Sequence, residues 1–231
     1  MSQGGPLSLW GATVSPSTRK VRIVLEFKGL AYKYPPEQQT LPASFLRGMG
    51  KGEKEIPPIL FEASRLGRVP VLETVGLDGK RFLLDESEVI IDYLERRFPS
   101  SPSVYPSESP ELYALAAWWH AWVDSRLQPV VHYELFKENV VKPLLLKQTT
   151  NLAAVEKALK ELEPLLKDLE TALKDGRKWL VGGRVTVADL ALAAHYANHE
   201  AGKWDVDRNK YPNVVAYLTR LMDLPAVKAA L

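Results

Sequence analysis

The chain has 231 residues, 46% of them hydrophobic and 25% charged, which is ordinary globular composition and enough length for one large or two small domains with a buried core. Lys plus Arg (30) against Asp plus Glu (28) leaves a formal charge of +2 with the two signs interspersed, which excludes the clustered basic footprint of a nucleic-acid binder. There is no cysteine, which excludes a disulfide framework, a Cys-based zinc or iron–sulfur site and a cysteine nucleophile of the protein's own.

The opening MSQGGPLSLWG has neither the basic nor the apolar region of a signal peptide, and no apolar run reaches membrane-spanning length. A soluble cytoplasmic protein, with no membrane and no nucleic-acid partner, is the expectation. LSLWG (Leu7 to Gly11) predicts a strand closed by glycine. SPSTRKVRIVLEF follows, with Val21, Val24 and Leu25 at helical spacing and Gly29 as a stop. AYKY (Ala31 to Tyr34) is a second short strand, ended by Pro35 and Pro36. Glu37 to Pro58 shows no period, and RGMGKGEKE within it reads as a mobile loop. RVPVLE (Arg68 to Glu73) predicts a third strand with an internal proline, and Asp78-Gly79 a hairpin turn into a fourth. A helix over about Ser87 to Phe98 carries Val89, Ile90, Tyr93 and Leu94 on one face.

PSSPSVYPSESP (Pro99 to Pro110), with four prolines and five serines, is a linker. Beyond it every pattern is helical. Ser109-Pro110-Glu111 gives a cap, a first-turn proline and an acidic first turn. Leu152 to Lys174 is a leucine-spaced helix in which Pro164 predicts a kink or break. VTVADLALAAHYA (Val185 to Ala197) is apolar nearly all round and so a buried central helix, opened by a Thr186/Asp189 capping box. A last helix covers roughly Val214 to Met222. The layout is an α/β domain at 1–98, a linker at 99–110 and an all-helical domain at 111–231. In the first, a βαβ unit followed by ββα predicts a thioredoxin-like domain with a mixed four-stranded sheet.

Four segments in series resemble the soluble glutathione transferases: SPSTRKVRIVLEFKGL, GRVPVLE, DESEVIIDYLERRFP and WLVGGRVTVADLALA, in the family's order and spacing. The resemblance covers nearly the whole chain. The serine-type classes (tau, phi, zeta) are the ones whose first motif is most similar. The resemblance implies glutathione as co-substrate, no metal, a homodimer, and a helical domain whose surface shapes the pocket for a second, hydrophobic substrate. Two departures stand out. Ser64-Arg65 occupy the place of the family's Asn-Pro, and the loop before them is long.

The resemblance also assigns roles. Ser15 aligns with the serine whose hydroxyl donates to the glutathione sulfur, with Ser17 as second choice and Thr18 as a further rival. Taken alone, Ser15 before Pro16 is a helix N-cap. Val69 would pair its backbone with the cysteinyl unit, the bond to Pro70 being cis in the family. Ser87 would hold the γ-glutamyl carboxylate at a helix N-terminus and Glu86 the α-amino group, although Asp85 and Glu88 also read as a capping box. Lys54 would meet the glycyl carboxylate. Trp118 and Trp122 are the aromatic residues assigned to the electrophile, from a group with Trp119, His120, Tyr133 and Phe136. His120 and His132 have no partner at metal or triad spacing. The implied activity is transfer of glutathione to an electrophile, with peroxide reduction, dehalogenation, isomerisation and ether cleavage as chemistry of the same site. The alternative is a non-catalytic binding or scaffold protein on this fold.

Overall fold

The computed structural model describes residues 5–231; the first four residues of the stretch judged to lack a leader pattern lie outside them. The chain separates into two compact units, one running up to Ser103 and including Ala229–Leu231, the other Val104–Lys228.

In the first unit β1 (Leu7–Trp10), α1 (Pro16–Phe27) and β2 (Tyr32–Lys33) form the βαβ turn, and β3 (Val71–Val75), β4 (Arg81–Asp85) and α4 (Ser87–Arg97) the ββα turn. The sheet order is β2-β1-β3-β4, with β1 parallel to β2 and the other pairs antiparallel. This is the thioredoxin-like arrangement that the element order predicts. Strand alternation divides the side chains between two faces. On one, Val71 joins Ala43, Ile56, Ile59 and Leu60, with Trp10, Val69 and Leu83 packed against them. Leu9 and Leu72, paired in register, are buried on the other. Helices α1 and α4 pack on one another and bury Val21, Val24 and Leu25 with Ile90, Ile91 and Leu94. Each such side chain contributes roughly 1.5–3 kcal/mol by leaving water. Their C-terminal ends are tied by Lys28 Nζ, which donates to Glu95 at 2.7 Å and to the Pro102 carbonyl at 3.0 Å.

The sequence reading needs correction in this unit at two places. The third strand begins after Pro70, not at Arg68; proline has no N–H to give a ladder. The aperiodic stretch Glu37 to Pro58 is partly built: it holds α2 (Ala43–Gly48) and a 3-10 turn at Glu53–Glu55, with α3 (Ile59–Ala63) after it, and RGMGKGEKE, read as a loop, spans the end of α2 and that turn. Arg47–Glu53 and Lys51–Glu55 ion pairs, each at 2.7 Å, clip the turn together. Elements of five or six residues are too short to show a period.

In the second unit α5 (Pro110–Trp122) begins at Ser109, whose Oγ accepts from the Glu111 and Leu112 N–H groups. The backbone then widens to π-type turns over Val123–Leu127 and Pro129–Leu145, as in the bonds from Gln128 N–H to Val123 and from Leu146 N–H to Val141. Helix α6 (Leu152–Ala172) runs through Pro164 without breaking. Pro164 is exposed, so the carbonyl it leaves unpaired can meet water, while Leu162, Leu166 and Leu169 anchor the buried side. Helices α7 (Val187–Tyr196), α8 (His199–Gly202), α9 (Pro212–Met222) and α10 (Pro225–Ala229) complete the chain.

The expected capping box of α7 is present, and it is fully buried. Asp189 accepts from Thr186 N–H (2.8 Å), Thr186 Oγ1 (3.0 Å), Leu180 N–H (3.0 Å) and Tyr217 Oη (2.6 Å). Burial raises its pKa, and these four donors oppose the rise. Removing the carboxylate strands four buried donors, each costing about 1–3 kcal/mol. Asp189→Ala is therefore expected to lower unfolding free energy by about 4 kcal/mol or more, measured as a fall in denaturation midpoint at unchanged slope.

Candidate functional site

Strand register gathers Ser15, Val69, Pro70, Glu86 and Ser87, but not Lys54. Trp10 at the end of β1 pairs with Val71 at the start of β3, and Val71 pairs with Asp85 at the end of β4. The loop to Ser15, the Val69-Pro70 turn and the Glu86-Ser87 turn thus leave the sheet at one end, side by side.

Ser15 caps α1. Its Oγ accepts from Thr18 N–H at 3.4 Å, and Pro16 fills the first helical position. The hydroxyl proton has no acceptor among the described residues. Ser15 and Ser17 are both half-buried, whereas Thr18 is fully buried with Oγ1 unpartnered, packed against the bare backbone of Gly11. That leaves Thr18 shielded and the two serines accessible.

The Val69-Pro70 bond is cis. No backbone hydrogen bond from within the described residues reaches the Val69 N–H or C=O, and its side chain packs on the cluster below.

At α4 the capping-box reading fails. Asp85 is the last residue of β4 and Glu86 is the cap, with no side-chain bond to the first turn. The first intrahelical bond runs from Ile90 N–H to the Glu86 carbonyl at 2.9 Å. The N–H groups of Ser87, Glu88 and Val89 are therefore open, at the positive end of an eleven-residue helix. Glu86 holds φ 63° and ψ 111°, a sparsely populated region that costs about 1–3 kcal/mol for a non-glycine residue. Its carboxylate lies 3.5 Å from Arg68 Nη1, both side chains exposed. Arg68 escaped the sequence reading, although a cation directly before Val69 was a usable signal. Lys54 is exposed in the 3-10 turn; its neighbours Glu53 and Glu55 are already paired, and Lys54 itself has no ion pair among the described residues.

Comparison with known proteins gives this arrangement a context. Residues 9–102 match the family profile described as glutathione S-transferase, N-terminal domain, and residues 128–225 the one described as glutathione S-transferase, C-terminal domain. The chain belongs to the glutathione S-transferase family. A probable glutathione S-transferase of Oryza sativa subsp. japonica is 28% identical over 237 residues, 99% of this chain and 89% of the relative. A glutathione S-transferase-like protein of a Fusarium species is 31% identical over 70% of this chain and 69% of its own. Among solved structures, a glutathione transferase from Phanerochaete chrysosporium, determined with oxidized glutathione, shares the fold at TM-score 0.74 and 20% identity, covering 100% of this chain and 95% of its own.

In the family's helical domain, here the second unit, Trp118 is 49% exposed and Trp122 only 2%. Trp119 stands edge-on to each, at centroid distances of 4.9 and 5.2 Å. Tyr133 is exposed and Phe136 buried. His120 does have a partner, contrary to the sequence reading: Asp124 Oδ2 lies 3.4 Å from its Nε2, one helical turn on, and His195 Nε2 is 3.9 Å from the other carboxylate oxygen. No cluster of residues suited to holding a metal occurs among the described residues, and no described helix is long and apolar enough to cross a membrane.

The strain at Glu86 can be measured by itself. Glycine accepts positive φ without the Cβ penalty, so Glu86→Gly is expected to stabilise the protein by about 1 kcal/mol. A midpoint below that of the parent would show that the Glu86 side chain stabilises the fold by more than its backbone strains it.

Proposed function

We propose that the protein is a serine-type glutathione transferase in which Ser15 stabilises the thiolate of bound glutathione for attack on a hydrophobic electrophile. The observation that carries this reading is the shared register row of Trp10, Val71 and Asp85, which sets three kinds of unused polar group side by side. The open N–H groups of Ser87 to Val89, with the Ser87 hydroxyl, suit the γ-glutamyl carboxylate. Glu86 supplies an anion for the α-amino group, in place of its loose contact with Arg68. The Val69 N–H and C=O suit the cysteinyl backbone, paired as an added strand. That pairing leads the sulfur toward Ser15. Lys54, a cation without a partner among the described residues, is assigned the glycyl carboxylate. The ligand in the Phanerochaete structure is consistent with this choice of co-substrate.

The chemistry follows from one proton. A free thiol has a pKa of about 8.5. A hydroxyl donating to sulfur and a helix N-terminus behind it both favour the thiolate. A depression of about two units corresponds to roughly 2.7 kcal/mol. The thiol proton goes to solvent, the sulfur forms a bond to the electrophilic carbon, and the leaving group departs with the bonding pair. Trp118 offers exposed indole surface for the electrophile, and Trp122 backs the aromatic layer through Trp119. A cytoplasmic homodimer goes with this reading.

Retention on immobilised glutathione together with turnover of an aromatic halide tests the whole assignment. Ser15→Ala should lose about 10- to 100-fold in rate and weaken the thiolate absorbance of bound glutathione, while stability falls by only about 1 kcal/mol for the lost cap. An unchanged rate in Ser15→Ala would transfer the role to Ser17 or end the mechanism. Binding without turnover in the parent would make the protein a carrier.

A further inference from the structure

Ser15 stands at the end of a short loop, Gly11 to Val14, that belongs to no helix or strand. Where that loop delivers the hydroxyl depends on what grips its backbone. Gly11 N–H donates to the Gln38 carbonyl at 2.9 Å, Arg19 Nη2 donates to the Thr13 carbonyl at 2.9 Å, and Ser15 N–H closes on the Ala12 carbonyl at 3.1 Å. The fourth contact comes from farther away: Tyr34 Oη, just past β2, donates to the Gly11 carbonyl at 2.5 Å. Gly11 has φ 152°, and a Cβ there would lie 2.3 Å from Thr18 Oγ1. The loop is thus pressed onto α1 at the residue whose carbonyl Tyr34 holds.

Tyr34 is itself fixed. The Arg22 guanidinium lies over its ring, 4.7 Å from the centroid. Arg22 Nε donates to Tyr32 Oη at 3.4 Å, and Tyr32 Oη donates to Glu26 at 3.0 Å. Tyr34 therefore takes its position from α1 and transmits it to the loop that enters α1.

We propose that Tyr34 is a positioning residue for Ser15, its hydroxyl holding the Gly11 carbonyl so that the loop presents the Ser15 oxygen at hydrogen-bond distance from a bound thiol. The inference rests on the assignment of Ser15 as the thiolate donor. A hydrogen bond weakens steeply with distance and angle, and displacements of an ångström cost catalysis far more than they cost folding. Burial pushes the Tyr34 hydroxyl up to about 12, so it keeps its proton across an assay range of about pH 6 to 9. Any pH response that changes in a Tyr34 variant then belongs to the bound thiol.

Tyr34→Phe keeps the ring and removes only the donor. With glutathione and an aromatic halide, its kcat should fall about 3- to 10-fold, the apparent pKa of the bound thiol should rise by about half a unit or more, and KM for glutathione should stay within about twofold. Tyr32→Phe serves as the control: it loses a hydroxyl of the same network that makes no bond to the loop, so its melting temperature should fall comparably while its pH profile matches the parent. Ser15→Ala is run alongside. A moved profile in Tyr34→Phe and Ser15→Ala with an unmoved one in Tyr32→Phe supports the proposal. An unmoved Tyr34→Phe profile beside a moved Ser15→Ala profile overturns the role of Tyr34 alone. If Ser15→Ala leaves the profile unmoved, the assignment of Ser15 falls and the proposal with it. Equal shifts in both tyrosine variants would reduce Tyr34 to a general structural role and overturn it as well.

Discussion

The pairing of Trp10 with Val71 and of Val71 with Asp85 is the constraint on which the candidate site depends. A slip of one residue in either antiparallel pair would turn every side chain to the opposite face, burying what is now Leu9's neighbour layer in the wrong cluster. Apolar burial on both faces therefore fixes the register, and the register fixes where three chain segments leave the sheet. Each segment carries polar groups that secondary structure does not consume: a hydroxyl proton at Ser15, a bare amide at Val69, an uncapped first turn at Ser87. All three lie where the chain leaves one end of the sheet, which is why they are proposed together as one site.

Helix caps show the same division between stability and use. Ser109 caps α5, and Thr186 with Asp189 caps α7 inside the core. At α4 the chain has Asp85 and Ser87 on either side of the cap position, yet places Glu86 there with positive φ and no side-chain bond. A sequence selected for helix stability alone would not combine strain with an absent cap. Departures of this kind concentrate at functional positions, and here the departure leaves the positive end of the helix open to an anion.

What the sequence disclosed follows from the range of the interactions. The entrance of α1 at Ser15-Pro16 and the Thr186/Asp189 box of α7 are set within four residues, and both were legible. The sheet followed from element order, because βαβ and ββα units admit few arrangements. The short helices α2 and α3 were not legible, since ion pairs and an apolar cluster hold them rather than a periodic face. Pro164 does not break α6, because an exposed proline inside a long amphipathic helix costs one hydrogen bond that packing of Leu162, Leu166 and Leu169 outweighs. The backbone angle of Glu86 leaves no mark on composition. The bond from Tyr34 to Gly11 joins residues 23 apart in sequence, and neither residue type signals the other. Asp124 beside His120, by contrast, stood at helical i+4 spacing and could have been read.

The two readings of Ser15, helix cap and thiolate donor, do not compete, because they use different parts of one group. A hydroxyl has one proton and two lone pairs. The Thr18 N–H occupies a lone pair, and the proton stays available. Accepting that N–H also polarises the O–H and ties the oxygen to the helix N-terminus, where the backbone dipole favours negative charge. An alanine would lose both functions, and a residue reaching the sulfur without capping α1 would lose the link to the dipole. Under the proposed assignment, serine at the cap position joins the two: the oxygen that opens the helix would be the one that keeps a borrowed thiol ionised.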